Sequence, residues 1–234
     1  MMDSSPDISL PTFSFATAIE SIEVQNHSFK ICHAANIDEL FQRLASLPSD
    51  HPDVVDERIP YWAEVWPSSI ALSDWLFRHP EMVKNKSVLE IGCGLALPSM
   101  VAHQLGAVMT VSDYISDPLE LVKYNWNLNG MGVAPVMLLD WRITDDVPQA
   151  DVLLASDVAY ERRMFDALKM AFSRLIKPDG VVLISEPQRS LAKEFFEGLE
   201  REGLNVSTET IGVTLKGINY KINVRVLRKS DQSR

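Results

Sequence analysis

Cysteine is scarce in this 234-residue chain: only Cys32 and Cys93 are present. They have neither metal-ligand spacing nor the density of a disulfide scaffold, so the expected compartment is reducing and the expected location cytoplasmic. Cys93 lies inside a glycine turn. The nearest histidine in sequence, His103, falls well along the helix expected next, so Cys93 reads as a small loop residue and not a nucleophile. The five histidines are scattered without H-E-x-x-H or similar spacing, so no metal site is expected. No apolar run is long enough to span a bilayer and no signal-peptide core stands at the N-terminus, so no membrane association is expected. Clustered positive charge is missing too: the formal net charge is -10, with 22 Lys and Arg against 32 Asp and Glu. That excludes a non-specific grip on nucleic acid, which needs grouped cations to neutralise phosphates. The acidity itself serves solubility. Repeats and low-complexity tracts are absent.

What is present centres on Ser87 to Asp113. A short apolar run (Val88, Leu89, Ile91) enters the turn Gly92-Cys93-Gly94. A helix follows from Pro98 to Leu105, with Gly106 suited to cap it. A second apolar run ends on Asp113. Strand, glycine turn, helix, strand and acid make one βαβ unit built for a nucleotide-like ligand. Gly92 and Gly94 permit backbone conformations closed to residues with a Cβ, and Asp113 can accept hydrogen bonds from a ribose diol. A dinucleotide loop wants G-x-G-x-x-G, and Leu97 stands at its third glycine, so that pattern fails. Glu90, two residues before Gly92, would repel a pyrophosphate and favour a cationic ligand or an amino group. S-adenosylmethionine has a sulfonium, an amino group and a ribose diol, and no phosphate. The loop E/D-x-G-x-G-x-G matches at Glu90, Gly92 and Gly94, with Ala96 at its last glycine. A generic tight turn between strand and helix is the competing reading.

The rest of the chain falls into order around this unit. Residues 1–11 are polar and rich in serine and proline and read as a disordered tail; 12–59 read as a hairpin and helix appendage; 60–234 form the main domain. Phe13 to Cys32 alternates as a hairpin, and Ile37, Leu40, Phe41, Leu44 and Leu47 form a helical stripe behind the cap Asn36. Pro60-Tyr-Trp-Ala-Glu-Val-Trp-Pro precedes a helix from Ser69 to Phe77. Trp62 and Trp75 read as core, whereas Trp66 suits either the core or the wall of a ligand pocket. Asp117-Pro118 opens another helix, with aspartate as cap and proline in its first position. A strand from Ala134 to Leu139 closes on Asp140-Trp141, where an open α/β sheet binds ligand; the acid can take an adenine amine and the indole can cover its face. Loop acid and core tryptophan are the alternative. Asp151 to Ser156 is a strand buried on both faces, followed by Asp157-Val-Ala-Tyr160. Pro178-Asp-Gly180 reads as a turn, Val181 to Ser185 as a strand ending at Glu186. The last two strands form a hairpin, so the seventh is antiparallel to the rest. The expected fold is α/β, a doubly wound, mostly parallel seven-stranded sheet with strand seven reversed.

Trp66, Glu90-Ile-Gly-Cys-Gly, Asp113, Asp140-Trp141 and Asp157-Val-Ala-Tyr160 together resemble the seven-β-strand protein-lysine methyltransferases of methyltransferase family sixteen, over about Phe13 to Leu227. The Pro60 to Pro67 segment is similar to that of the lysine methyltransferases acting on the electron-transfer flavoprotein β subunit. The resemblance implies S-adenosylmethionine as cofactor, held by Trp66, Gly92, Cys93, Gly94, Asp113, Trp141 and Ser156, with Glu90 and Asp140 alongside. It implies Asp157 and Tyr160 on the methyl-acceptor side. Ala96 departs from the family's usual glycine, and Ser156 stands where relatives often have alanine or glycine. Asp157 would hold an acceptor ammonium and orient it, or else cap the following helix; Glu186 lies on the same rim. The expected partner is a protein lysine or a small-molecule acceptor, and the expected state a monomer. A small-molecule N- or O-methyltransferase and a non-catalytic cofactor-binding scaffold are the alternatives.

Overall fold

A computed structural model describes residues 13–229; the tail expected at 1–11 lies outside the described residues. The chain opens with a hairpin of β1 (Thr17–Val24) and β2 (His27–Ala34), then α1 (Ile37–Ser46) and the single turn α2 (Pro52–Val55). Next come α3 (Pro67–Arg78), β3 (Ser87–Ile91), α4 (Leu97–Gln104), β4 (Val108–Asp113), α5 (Ser116–Leu128) and the short β5 (Val136–Leu138). β6 (Ala150–Ser156), α6 (Phe165–Arg174), β7 (Ile176–Glu186), α7 (Ser190–Arg201), β8 (Leu204–Leu215) and β9 (Ile218–Lys229) complete it. The main sheet has seven strands in the order β5-β4-β3-β6-β7-β9-β8. β3 pairs in parallel with both β4 and β6, while β9 runs antiparallel to β7 and β8. The chain therefore winds outward from β3 in one direction and from β6 in the other. The seam between those two strands, at their carboxyl ends, is where such sheets leave a crevice.

Period-two burial explains why helices cover both faces. Val88, Val152, Leu154, Val181 and Leu183 join α3, α4, α5 and the hairpin in one core. Their neighbours Leu89, Ile91, Leu153, Ala155, Val182 and Ile184 join α6 and α7 in another. Strands apolar on both sides cannot face water, which is the pattern of a doubly wound sheet.

The appendage is stitched to the domain. Fully buried Asn125, on α5, accepts from the Cys32 N–H at 2.7 Å and donates to the Cys32 carbonyl at 3.1 Å. Asn125→Leu would strand both groups of a strand that has its partner on the other side only. The expected loss is about 2–3 kcal/mol of unfolding free energy in urea titration.

Local expectations are corrected in three places. Pro178-Asp-Gly180 does not break the strand; it bulges within continuous β7, whose register against β6 shifts between the Ala150–Ile176 and Val152–Val181 pairs. The third strand of the sheet, at one edge, spans only Val136–Leu138 and not Ala134 to Leu139. α5 begins at Ser116 behind Ile115 with no side-chain cap, so Asp117 lies inside the first turn.

Candidate active site

The carboxyl ends of β3, β4 and β6, with the segment before α3, enclose a cavity of about 560 Å³. Trp66, Gly92, Cys93, Gly94, Asp113, Trp141, Ser156, Asp157 and Tyr160 all line it. Glu90 and Asp140 do not.

The glycine loop leaves β3 with Gly92 at φ +59° and Gly94 at φ +50°, left-handed conformations that favour glycine. Ala96 adopts φ 59° as the residue preceding α4, so the alanine accepts the backbone shape for which a glycine would serve. A Cβ on Gly92 would stand 2.8 Å from Trp141 Cζ3 and 3.0 Å from Val158 Cγ1. The missing side chain thus makes room for Trp141, which then forms part of the wall. The Cys93 thiol is buried and pushed well above its ordinary pKa by that burial, which removes it as a nucleophile.

Asp113 ends β4 with both carboxylate oxygens engaged: Oδ2 accepts from Gly94 N at 3.1 Å and Oδ1 from Ile115 N at 3.1 Å. The loop and the acid fix one another. Burial pushes the carboxyl up to about 6, while the backbone donors of Ile115, Gly94 and Tyr114 pull it down. Each oxygen keeps capacity for a further donor from a ligand.

Glu90 behaves differently from the expectation of direct ligand contact. It is fully buried behind the loop, and Oε2 accepts from the backbone and hydroxyl of Ser99. Burial pushes its carboxyl up to about 8, so near neutral pH it is mostly uncharged and cannot serve as a cation trap. It ties β3 to the first turn of α4. Asp140 is also diverted. Its oxygens hold Arg142, which reaches across to Asp56, with Arg142 Nη2 to Asp56 Oδ2 at 2.9 Å. That ion network pins the polar segment after α2 against the loop after β5, leaving Asp140 facing a small neighbouring hollow.

Asp157 follows β6 at φ 53°, another left-handed residue, with its side chain 11% exposed. It caps no helix, since α6 starts at Phe165. Its Oδ2 lies 3.0 Å from Arg189 Nη2 and its Oδ1 3.3 Å from Arg189 Nε. Burial raises its pKa and Arg189 pulls it back. Tyr160 stands edge-on to Tyr61 at 5.8 Å, and Tyr61 stands edge-on to Trp66 at 5.8 Å. Trp66 also donates from Nε1 to the Tyr61 carbonyl at 2.6 Å, so the pre-α3 segment holds this aromatic rim in place. Burial holds the Tyr160 hydroxyl well above its ordinary pKa, so it stays protonated and can donate.

Several wall residues escaped the sequence reading. Trp62, read there as core, lines the cavity, as do Tyr61, Glu64, Tyr114 and Arg189. Glu186 does not. It is buried, holding Asn223 at 2.9 Å and Arg225 at 3.0 Å with one oxygen and accepting from Arg189 N at 3.2 Å with the other. The signal available for Arg189 was its place three residues past the end of β7, next to β6 in the sheet.

A family model described as lysine methyltransferase matches residues 60–202. Histone-arginine methyltransferase METTL23 of Rattus norvegicus is 31% identical over 133 residues, covering 52% of this chain and 59% of that protein. The electron transfer flavoprotein beta subunit lysine methyltransferase of Danio rerio is 29% identical over 154 residues, covering 64% and 59%. The chain thus spans under two thirds of the length of these curated relatives. Among solved structures, magnesium protoporphyrin IX methyltransferase from Synechocystis PCC 6803, with bound S-adenosylmethionine, superposes with TM-score 0.54 at 15% identity, covering 83% of this chain and 92% of that one. Ribosomal protein L11 methylase from Lactobacillus delbrueckii subsp. bulgaricus does so with TM-score 0.54 at 19% identity, covering 69% and 78%. At such identities the likeness concerns the fold.

Proposed function

This chain belongs to the lysine methyltransferase family, and from that premise we propose that it moves a methyl group from S-adenosylmethionine to a lysine side chain of a protein substrate. One observation carries the reading: the glycine loop with Asp113 and the Asp157–Tyr160 pair converge on a single cavity. Its volume of about 560 Å³ falls within the range of small-molecule sites. The wall suits this cofactor. Asp113 offers carboxylate oxygens to a diol, the loop backbone comes close because Gly92 and Gly94 lack a Cβ, and Trp141 offers an aromatic edge. When bound, the cofactor supplies a methyl group on a sulfonium, which departs as a neutral thioether and so asks no acid of the protein.

The chain's own residues would then act on the acceptor. Asp157 attracts and orients its cationic nitrogen. Tyr61, Trp66 and Tyr160 flank the aliphatic stem and displace water, which favours the neutral amine needed for attack. A free lysine holds its proton until about pH 10.4, so that desolvation matters. Positioning of the two partners can contribute on the order of 7–11 kcal/mol at best.

Cofactor affinity is expected to depend on pH through Asp113. Its carboxyl accepts both ribose hydroxyls most strongly when ionised, and burial raises its pKa to about 6. Affinity should therefore rise with pH through that value and be about tenfold weaker at pH 5 than at pH 7. Calorimetry across this range should give that slope, and Asp113→Asn should flatten it.

The acceptor itself is tested by incubating the protein with methyl-labelled S-adenosylmethionine and a cell extract, then locating the label by mass spectrometry. Label on lysine, absent with Asp157→Asn, is the expected result. Label on a small molecule alone would overturn the protein-acceptor reading. A second reading, an arginine acceptor, is favoured by the guanidinium that already lies on Asp157 through two contacts, and would appear as label on arginine.

A further inference from the structure

The carboxylate assigned to the acceptor already has a cation on it. Arg189 lies against Asp157 with Nη2 and Nε each near a different carboxylate oxygen, at 3.0 and 3.3 Å. The wall also carries Glu64, Asp113 and Glu161, and among the described residues that line it Arg189 is its one lysine, arginine or histidine. The two members of the pair sit differently. The Asp157 side chain is 11% exposed, that of Arg189 44%. Asp157 is thus the fixed member, and the arginine has open water on one side into which it can swing.

The backbone beneath Arg189 is held firmly. Its N–H donates to Glu186 Oε2 at 3.2 Å, and Glu186 is anchored to Asn223 and Arg225. Gln188, in the left-handed region at φ 57°, donates to Asn223 at 3.1 Å. The loop after β7 therefore delivers the guanidinium to one spot, and only the side chain has freedom to leave.

Resting on the reading above, we propose that Arg189 is a specificity-determining residue that occupies the acceptor's place: its guanidinium holds Asp157 until a cationic acceptor side chain displaces it. A buried carboxylate left alone would be poorly solvated and would tend to take a proton. The arginine favours its ionised form in the acceptor-free protein, against the burial that raises its pKa. An incoming ammonium or guanidinium replaces one charge contact with another. An acceptor that carries no charge at neutral pH would have to separate the pair and give nothing back, so it is excluded, whereas a lysine enters as its ammonium and gives its proton to water before it attacks. The arrangement weakens binding of every acceptor by the fraction of time the site is occupied from within, in exchange for selection by charge.

The test uses the full chain loaded with S-adenosylhomocysteine and n-butylammonium as the probe of the acceptor site, its binding followed by ligand-observed NMR. Arg189→Met, which keeps a long apolar stem and removes the charge, is expected to bind the probe about tenfold more tightly than wild type. Arg189→Lys restores a competing cation and should return the affinity towards wild type. Adding Asp157→Asn to Arg189→Met should abolish the gain. Unchanged or weaker binding in Arg189→Met, while Asp157→Asn alone still reduces binding, would overturn the proposal and leave the acceptor assignment standing. Indifference of the probe to Asp157→Asn in both backgrounds would remove the assignment on which the proposal rests. Retained S-adenosylhomocysteine affinity in each variant separates these outcomes from misfolding.

Discussion

Asp157→Ala is expected to lower kcat/KM for methyl transfer by at least about a hundredfold, the usual scale for losing a group that positions or exchanges a proton with a reacting atom. The carboxylate sits in the wall with its side chain only 11% exposed, and it is held at φ 53° by the loop after β6. Strained positions of this kind persist where the surrounding structure over-determines them. Without the carboxylate, Arg189 loses its ion-pair partner and its guanidinium would repel an acceptor ammonium. Stability should suffer little, because the Arg189 side chain is 44% exposed and can rehydrate. Cofactor affinity should stay within about tenfold, since Asp113 and the glycine loop are untouched. Transfer from labelled cofactor, calorimetry with S-adenosylhomocysteine and a thermal melt check the three parts. Near-normal turnover would take Asp157 out of the mechanism.

Gly92→Ala is expected to be the most damaging single methyl group in the loop. It adds a side chain at φ +59° and drives a Cβ to 2.8 Å from Trp141 Cζ3. The left-handed backbone costs about 1–2 kcal/mol for a residue with a Cβ, and forced repacking typically adds about 1–3 kcal/mol. A loss of about 2–5 kcal/mol in urea unfolding follows. The folded fraction should still bind cofactor poorly, because Trp141 forms the wall and must move to admit the methyl. Wild-type stability would mean the loop is looser than its geometry implies. Unaltered cofactor affinity would mean Trp141 is no part of the site.

Much of this site is readable from the chain, for physical reasons that can be named. Gly92, Gly94 and Asp113 belong to one short βαβ unit, so their spacing along the sequence is their spacing in space. The near-continuous apolar runs of β3 and β6 give strands buried on both faces, and the hairpin that joins the last two strands gives the reversed β9. What the sequence hides is set by contacts far along the chain. Glu90 has the right place for a ligand acid, yet Ser99 claims it and burial neutralises its charge. Asp140 ends the right strand, yet Arg142 turns it towards Asp56, 86 residues away in sequence from Arg142. Arg189 meets Asp157 only because β6 and β7 are neighbours and their following loops lean together. Trp62 follows the same rule: it enters the cavity because α1 and the hairpin pack beneath it with Ala34, Leu40 and Ala63. Local patterns report the strands and the loop, and the charge pairings that tune the site depend on which strand ends the fold brings side by side.

Calorimetric titration of the wild-type protein and Asp113→Ala with S-adenosylmethionine, S-adenosylhomocysteine and NAD decides between a methyl-donor site and a dinucleotide site. The first two should bind wild type, NAD should not, and Asp113→Ala should weaken binding by about 1–3 kcal/mol through its lost hydrogen bonds. Binding of NAD alone, binding of none of the three, or an Asp113→Ala protein with wild-type affinity would contradict the methyl-donor site.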